Sequence, residues 1–123
     1  MPRNLVPWTV KGGCAVIAWE RVNDLRSEIG DDDFAEVVAL FLEEADEVIG
    51  RISRTVGAKA LEADLHFLKG AALNLGFAQF AAHCQDGERR AASGETAIDL
   101  AQLCSSYHAS KAALFAGQNA SAA

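Results

Sequence analysis

Among the residues of this sequence, His66 stands where it could do chemistry. Lys69 and Gly70 follow it by three and four positions, and Ala63 and Glu62 precede it by three and four. On a helix these five share one surface. A neutral imidazole has a lone pair that can attack an electrophile, and like-charge repulsion from an ammonium one turn away favours that neutral form. If the ring took up a phosphoryl group, with its added charge of about −1.5 to −2, the same ammonium could pair with the phosphoryl oxygens. Gly70 inside a helix costs about 1 kcal/mol relative to Ala, and core packing does not require it there. With Ala63 on the other flank, the expectation is steric clearance for a large partner.

The helix that must hold these groups is predicted from about Lys59 to Leu75, with a stop at Gly76. With His66 at zero and about 100° per residue, Leu61, Leu65, Leu68, Ala72 and Leu75 fall in a sector about 80° wide. His66 lies about 140° from the centre of that sector, so it points away from the core. Phe67 and Leu73 also fall outside it, which gives apolar contact area beside the imidazole. Glu62, Phe67 and Leu73 are therefore expected to touch a partner.

Four further helices are predicted around this one. The first runs from Val16 and ends at Gly30. The second starts at Asp31-Asp32-Asp33, with Glu36 completing a capping box from Asp33, and its stripe of Phe34, Val37, Val38, Phe41, Ala45, Val48, Ile49 and Ile52 runs to about Val56. The fourth spans about Ala78 to Ala92. The fifth begins near Glu95-Thr96, turns Ala97, Leu100, Leu103, Cys104, Tyr107, Leu114 and Phe115 inward, and stops before Gly117. Connections of two to six residues force neighbouring helices to run antiparallel. The expected fold is all-α, an antiparallel up-down four-helix bundle with an additional short N-terminal helix. Residues 1–15 form an irregular lead-in, 16–117 the bundle, and 118–123 a flexible tail.

Composition bounds what such a domain can do. The chain has 123 residues, 11 Lys+Arg against 17 Asp+Glu, and a net charge of −6. That is one domain's length, with no room for a nucleotide-binding unit beside a second catalytic one. The acidic balance offers no basic stripe for nucleic acid, and no apolar run approaches the roughly 18 residues needed to span a membrane. No leader peptide is expected at Met1-Pro2-Arg3-Asn4-Leu5, since neither a continuous apolar stretch nor a small-residue cleavage site comes after it. Three cysteines, Cys14, Cys84 and Cys104, without C-x-x-C spacing suit a reducing, cytoplasmic setting.

Two competing sites are weaker. Cys104 and His108 lie four apart on the fifth helix and His83-Cys84 on the fourth, which suggests a Zn²⁺-stabilised bundle. But consecutive residues diverge by about 100° on a helix and cannot easily converge on one ion, so no metal site is expected. Glu43, Glu44, Asp46 and Glu47 fill the outer side of the second helix as a solvated face. No phosphate-binding glycine loop, nucleophile elbow or zincin motif occurs, so nothing here binds ATP.

The run from His66-Phe67-Leu68-Lys69-Gly70 through Asn74-Leu75-Gly76 resembles the phosphoacceptor signature of histidine-containing phosphotransfer (HPt) domains, H-x-L-K-G, small residues, then N-L-G. Gly30-Asp31-Asp32-Asp33-Phe34 with Phe41-Leu42-Glu43-Glu44, and Cys84 with Glu88 downstream, also look like that family. The resemblance covers roughly residues 17–115. It implies a phosphoryl carrier without its own kinase, which takes phosphate on His66 from one receiver-domain aspartate and passes it to another. Lys69 would stabilise the phosphoryl group and Gly70 would give clearance. Partners would be response-regulator receiver domains and a hybrid sensor histidine kinase. Mg²⁺ would belong to the receiver, with no cofactor on this chain, which is expected to be a monomer. Ala71 and Ala72 stand where the family commonly has Ser, and Gly87 stands where it has a larger apolar residue, so a loosened fourth helix is expected. The alternative is a helical interaction module that does not transfer phosphate.

Overall fold

Gly30 separates the first two helices at a single residue. Its φ of 85° lies in the left-handed region, where a side chain would be strained. Its amide donates to the Arg26 carbonyl and its own carbonyl accepts from the Phe34 amide, which closes one helix and opens the next. The computed structural model describes residues 16–122, with side chains to residue 117; the expected lead-in over residues 1–15 lies outside them. The helices are α1 (Trp19–Ile29), α2 (Asp31–Arg51) continued by a 3-10 turn (Ile52–Arg54), α3 (Ala58–Leu75), α4 (Ala78–Ala92) and α5 (Leu100–Ala122). Among the described residues there is no strand, so the protein is all-helical, as the composition implies.

Several boundaries differ from expectation for identifiable reasons. Gly30, not Asp33, is the N-cap of α2, so the capping box with Glu36 does not form. Asp31, Asp32 and Asp33 instead occupy the first turn, where their charges oppose the positive end of the helix dipole. α5 starts at Leu100 rather than near Glu95, because Asp99 Oδ1 accepts the Gln102 amide at 2.9 Å and caps the first turn. Nor does it stop at Gly117, where a Cβ would run into the indole of Trp19. That glycine is a notch for α1, not a terminator, and the helix continues to Ala122.

The core is built as the apolar spacing requires. Leu61, Leu65, Leu68, Ala72 and Leu75 of α3 are buried, facing Val38, Leu42, Ala45, Val48, Ile49 and Ile52 of α2 and its turn, and Phe80, Cys84 and Ala91 of α4. Tyr107 of α5 is fully buried and meets Phe80 at 5.2 Å and Phe77 at 6.2 Å between ring centroids. Phe115, expected inward, is exposed, as is Ala97 in the linker before α5. Gly87 does not leave an open gap in the face of α4. It is buried, and a Cβ there would sit 3.1 Å from Leu65 Cδ1 and 3.6 Å from Ile98 Cγ2, so the missing side chain lets α4 close onto α3.

Two polar ties fix α3. Asp64 is buried and accepts from Arg51 at 2.9 Å and Thr55 at 2.8 Å, anchoring the start of α3 to the end of α2. At the other end Gly76 has φ 78°, and its carbonyl accepts from the Ala18 amide at 2.7 Å and the Ala78 amide at 2.9 Å. A Cβ on Gly76 would lie 2.9 Å from Val22 Cγ2 and 3.0 Å from the Ala18 carbonyl oxygen. The left-handed turn and the close approach of α1 both require this glycine.

Candidate functional site

His66 projects from the middle of α3 on the side away from Leu65 and Leu68, with its side chain 70% exposed. The outward projection inferred from spacing is thus seen in the exposure of the side chain. Gly70, one turn on, has open space around it: a Cβ there would meet nothing within 4 Å. The fold does not need a glycine at that position, yet the helix carries its cost of about 1 kcal/mol. Ala63 is exposed on the other flank and Glu62 half-buried. Leu73, two turns along the same face, and Phe67 are both exposed apolar residues. Phe67 leans over a groove of about 390 Å³ between α2 and α3, whose walls include Glu44, Glu47, Val48 and Arg51.

Lys69 does not stand free beside the ring. Its Nζ lies 2.8 Å from Oε1 of Glu88 on α4, while Oε2 of the same carboxylate lies 2.8 Å from His66 Nδ1. The lysine contact is an ion pair off the axis of an aligned hydrogen bond; the histidine contact is a hydrogen bond. Burial pushes the Glu88 carboxyl up, but Lys69 and His66 together outweigh it and hold the group below the usual carboxylate range. Glu88 is therefore an acceptor, so the proton of this bond belongs to Nδ1. A neutral ring held this way has its lone pair on Nε2.

Glu88 is the site residue that spacing along α3 could not reveal. It lies 22 residues from His66, and its role depends on α4 packing against α3 at the height of Lys69. Gly87 beside it lies close against α3, where a Cβ would sit 3.1 Å from Leu65 Cδ1. Asn74 makes one contact within its own helix and one to a neighbour. Its Nδ2 donates to the Gly70 carbonyl at 3.0 Å and its Oδ1 lies 3.4 Å from an Arg21 nitrogen, linking the bare turn of α3 to α1.

The other candidate clusters resolve differently. Cys84 is fully buried and burial pushes its thiol well up, Glu88 adding to the effect, while Cys104 is half-buried and raised for the same reason. Cys14 lies outside the described residues. Among those described, no three His, Cys, Asp or Glu side chains gather to hold a metal ion. In the acidic run of α2, Asp46 is not simply solvated, since it receives Tyr107 and Lys111 of α5.

Compared with known proteins, residues 36–113 match the family model described as Hpt domain. The match spans well over half of the chain, including His66, Lys69, Gly70 and Glu88, and leaves α1 outside. No curated protein and no solved structure matches.

Proposed function

Because the chain belongs to the Hpt domain family, we propose that His66 is its phosphoacceptor, taking a phosphoryl group from one receiver-domain aspartate and yielding it to another. Domains of this family are phosphocarrier modules of two-component phosphorelays, not enzymes with a kinase or ATP site of their own, and they interact with receiver domains and histidine kinases. The observation that carries the specific role is the exposed ring with Nδ1 committed to Glu88, which leaves Nε2 as the nucleophilic atom turned outward.

In this reading the Nε2 lone pair attacks the phosphorus of the aspartyl phosphate in line with the bond that breaks. Lys69 is the phosphoryl-stabilising cation, within reach because it shares a carboxylate with the ring. Gly70 and Ala63 give the receiver clearance, and Phe67, Leu73 and Glu62 contact it. Mg²⁺ belongs to the receiver, and this chain needs no cofactor. α2 to α5 form the antiparallel up-down bundle, with α1 across one end, in a functional unit over residues 16–117. No helix among the described residues is long and apolar enough to cross a membrane. A net charge of −6 with no basic stripe supports a carrier that binds no nucleic acid, and cysteines without C-x-x-C spacing suit a cytoplasmic setting; we take the carrier to be a monomer.

The test is a receiver domain labelled with ³²P on its aspartate, mixed with the wild type and with His66→Gln. Label on the wild type and none on the variant is expected. Equal labelling of both removes His66 from the mechanism and leaves a helical interaction module.

A further inference from the structure

Nine lysines and arginines lie among the described residues of a chain whose net charge is −6. Six of them, Arg26, Arg51, Lys69, Arg89, Arg90 and Lys111, are in ion-pair contact with a described carboxylate. Arg21, Arg54 and Lys59 meet none among those residues. Arg54 lies in the turn before α3, and the other two stand at opposite ends of the α3 face that carries His66.

Lys59 is exposed and precedes His66 by seven residues. At about 100° per residue it falls within about 20° of the same line on the helix, and at about 1.5 Å per residue it lies about 10 Å along it. Arg21 reaches the other end from α1. Ala18 and Val22 hold that helix against the turn at Gly76, and from there the Arg21 guanidinium comes within 3.4 Å of Asn74 Oδ1. Asn74 Nδ2 donates to the Gly70 carbonyl, which leaves its oxygen for the arginine. Asn74 follows His66 by eight residues, about 12 Å along α3. The imidazole is therefore near the middle of a span of about 22 Å with an unneutralised cation at each end. Glu62 and Asp24 follow Lys59 and Arg21 by three residues, the spacing at which helical ion pairs form, and neither is in contact with its cation.

We propose that Lys59 and Arg21 are specificity-determining residues that meet carboxylates at the two ends of a receiver domain's docking face and set the register in which His66 meets the aspartyl phosphate. The inference rests on the carrier reading of His66. The partner it fits is a receiver with acidic side chains spaced to match on either side of its phosphorylated aspartate. Toward such a surface the body of this chain, with its excess of carboxylates, is repulsive, while the two ends of the α3 face attract. The encounter is steered into one orientation. Each cation stands about two turns of helix from the ring, which leaves the phosphoryl group to Lys69. The pair governs encounter and not the chemical step.

The probe is a receiver domain with acidic side chains around its phosphorylated aspartate, labelled there with ³²P. Single-turnover transfer is followed over a range of receiver concentrations, at low and at high salt. Arg21→Gln with Lys59→Gln in one chain is expected to lower the second-order rate about tenfold at low salt, with the maximal rate at saturating receiver unchanged and the difference shrinking to about twofold at high salt. Arg21→Lys keeps the charge and alters the contact with Asn74, so it should retain most of the wild-type rate. Arg89→Gln with Arg90→Gln makes the same change in net charge at cations already paired with Asp86, and should cost less than about twofold. Equal rates for the wild type and the Arg21/Lys59 variant, a loss that salt does not diminish, or an equal loss in the Arg89/Arg90 variant overturns the proposal and leaves the carrier reading standing. Absence of label on the wild type counts against the carrier reading, and this inference falls with it.

Discussion

The Tyr107 hydroxyl donates to Asp46 Oδ1 across 2.6 Å, so a fully buried ring on α5 ends in a carboxylate on α2. Lys111 Nζ meets the same carboxylate at 2.9 and 3.0 Å. Burial pushes Asp46 up, but Tyr107 and Lys111 outweigh it and hold the group below the usual carboxylate range. Burial, with Asp46 beside it, pushes the Tyr107 hydroxyl up, so it remains a donor.

A group held lower in the folded state than in the unfolded chain stabilises the fold fully above its unfolded value, and that stability is lost as pH falls through the folded one. Asp46 and Glu88 both have this sign. Urea midpoints are expected to hold through neutral pH and to drop below about pH 4, and the drop should be shallower in Asp46→Asn. Equal acid slopes in the two proteins would show that the contact with Tyr107 and Lys111 is not felt in stability.

Gly70 separates fold from function. A Cβ there meets nothing, so Gly70→Ala should raise stability by about 1 kcal/mol, read as a higher urea midpoint. Gly70→Gln should fold as well as the wild type and slow transfer from a phosphorylated receiver by about tenfold or more, the effect of roughly 1.4 kcal/mol of steric cost in the transition state. Undiminished transfer by Gly70→Gln would mean that nothing large approaches this turn.

Gly117 behaves in the opposite way. Although alanine is the better helix former, Gly117→Ala should lower stability by about 1–3 kcal/mol, because its methyl collides with the Trp19 indole. Trp19→Leu in the same chain should recover part of the loss. A midpoint for Gly117→Ala at or above that of the wild type would show that the indole moves aside at little cost.

Much of the site was legible from spacing because it concerns one helix at a time. The buried stripe from Leu61 to Leu75 and the outward angle of His66 follow from a single period, and the structure reproduces both. What escaped depends on which helix lies against which. By spacing alone Glu88 is one more acidic residue, and only the seat of α4 brings it to His66 and Lys69. Gly117 resembles a helix end because the position of Trp19 cannot be inferred from α5. Gly87 resembles a weak point because nothing in α4 itself says that Leu65 presses on it. The misplaced cap of α2 has a different cause, since three consecutive aspartates offer plausible caps and the left-handed backbone of Gly30 takes the position instead.

The carbonyl of Gly76 receives amides from two different segments, Ala18 ahead of α1 and Ala78 at the head of α4. The family match begins at residue 36, but a shortened gene cut there would leave that oxygen with one donor fewer and uncover the face of α3 and its turn that Val22 seals. Anyone trimming the chain for expression or crystallisation should therefore set the first codon upstream of Ala18.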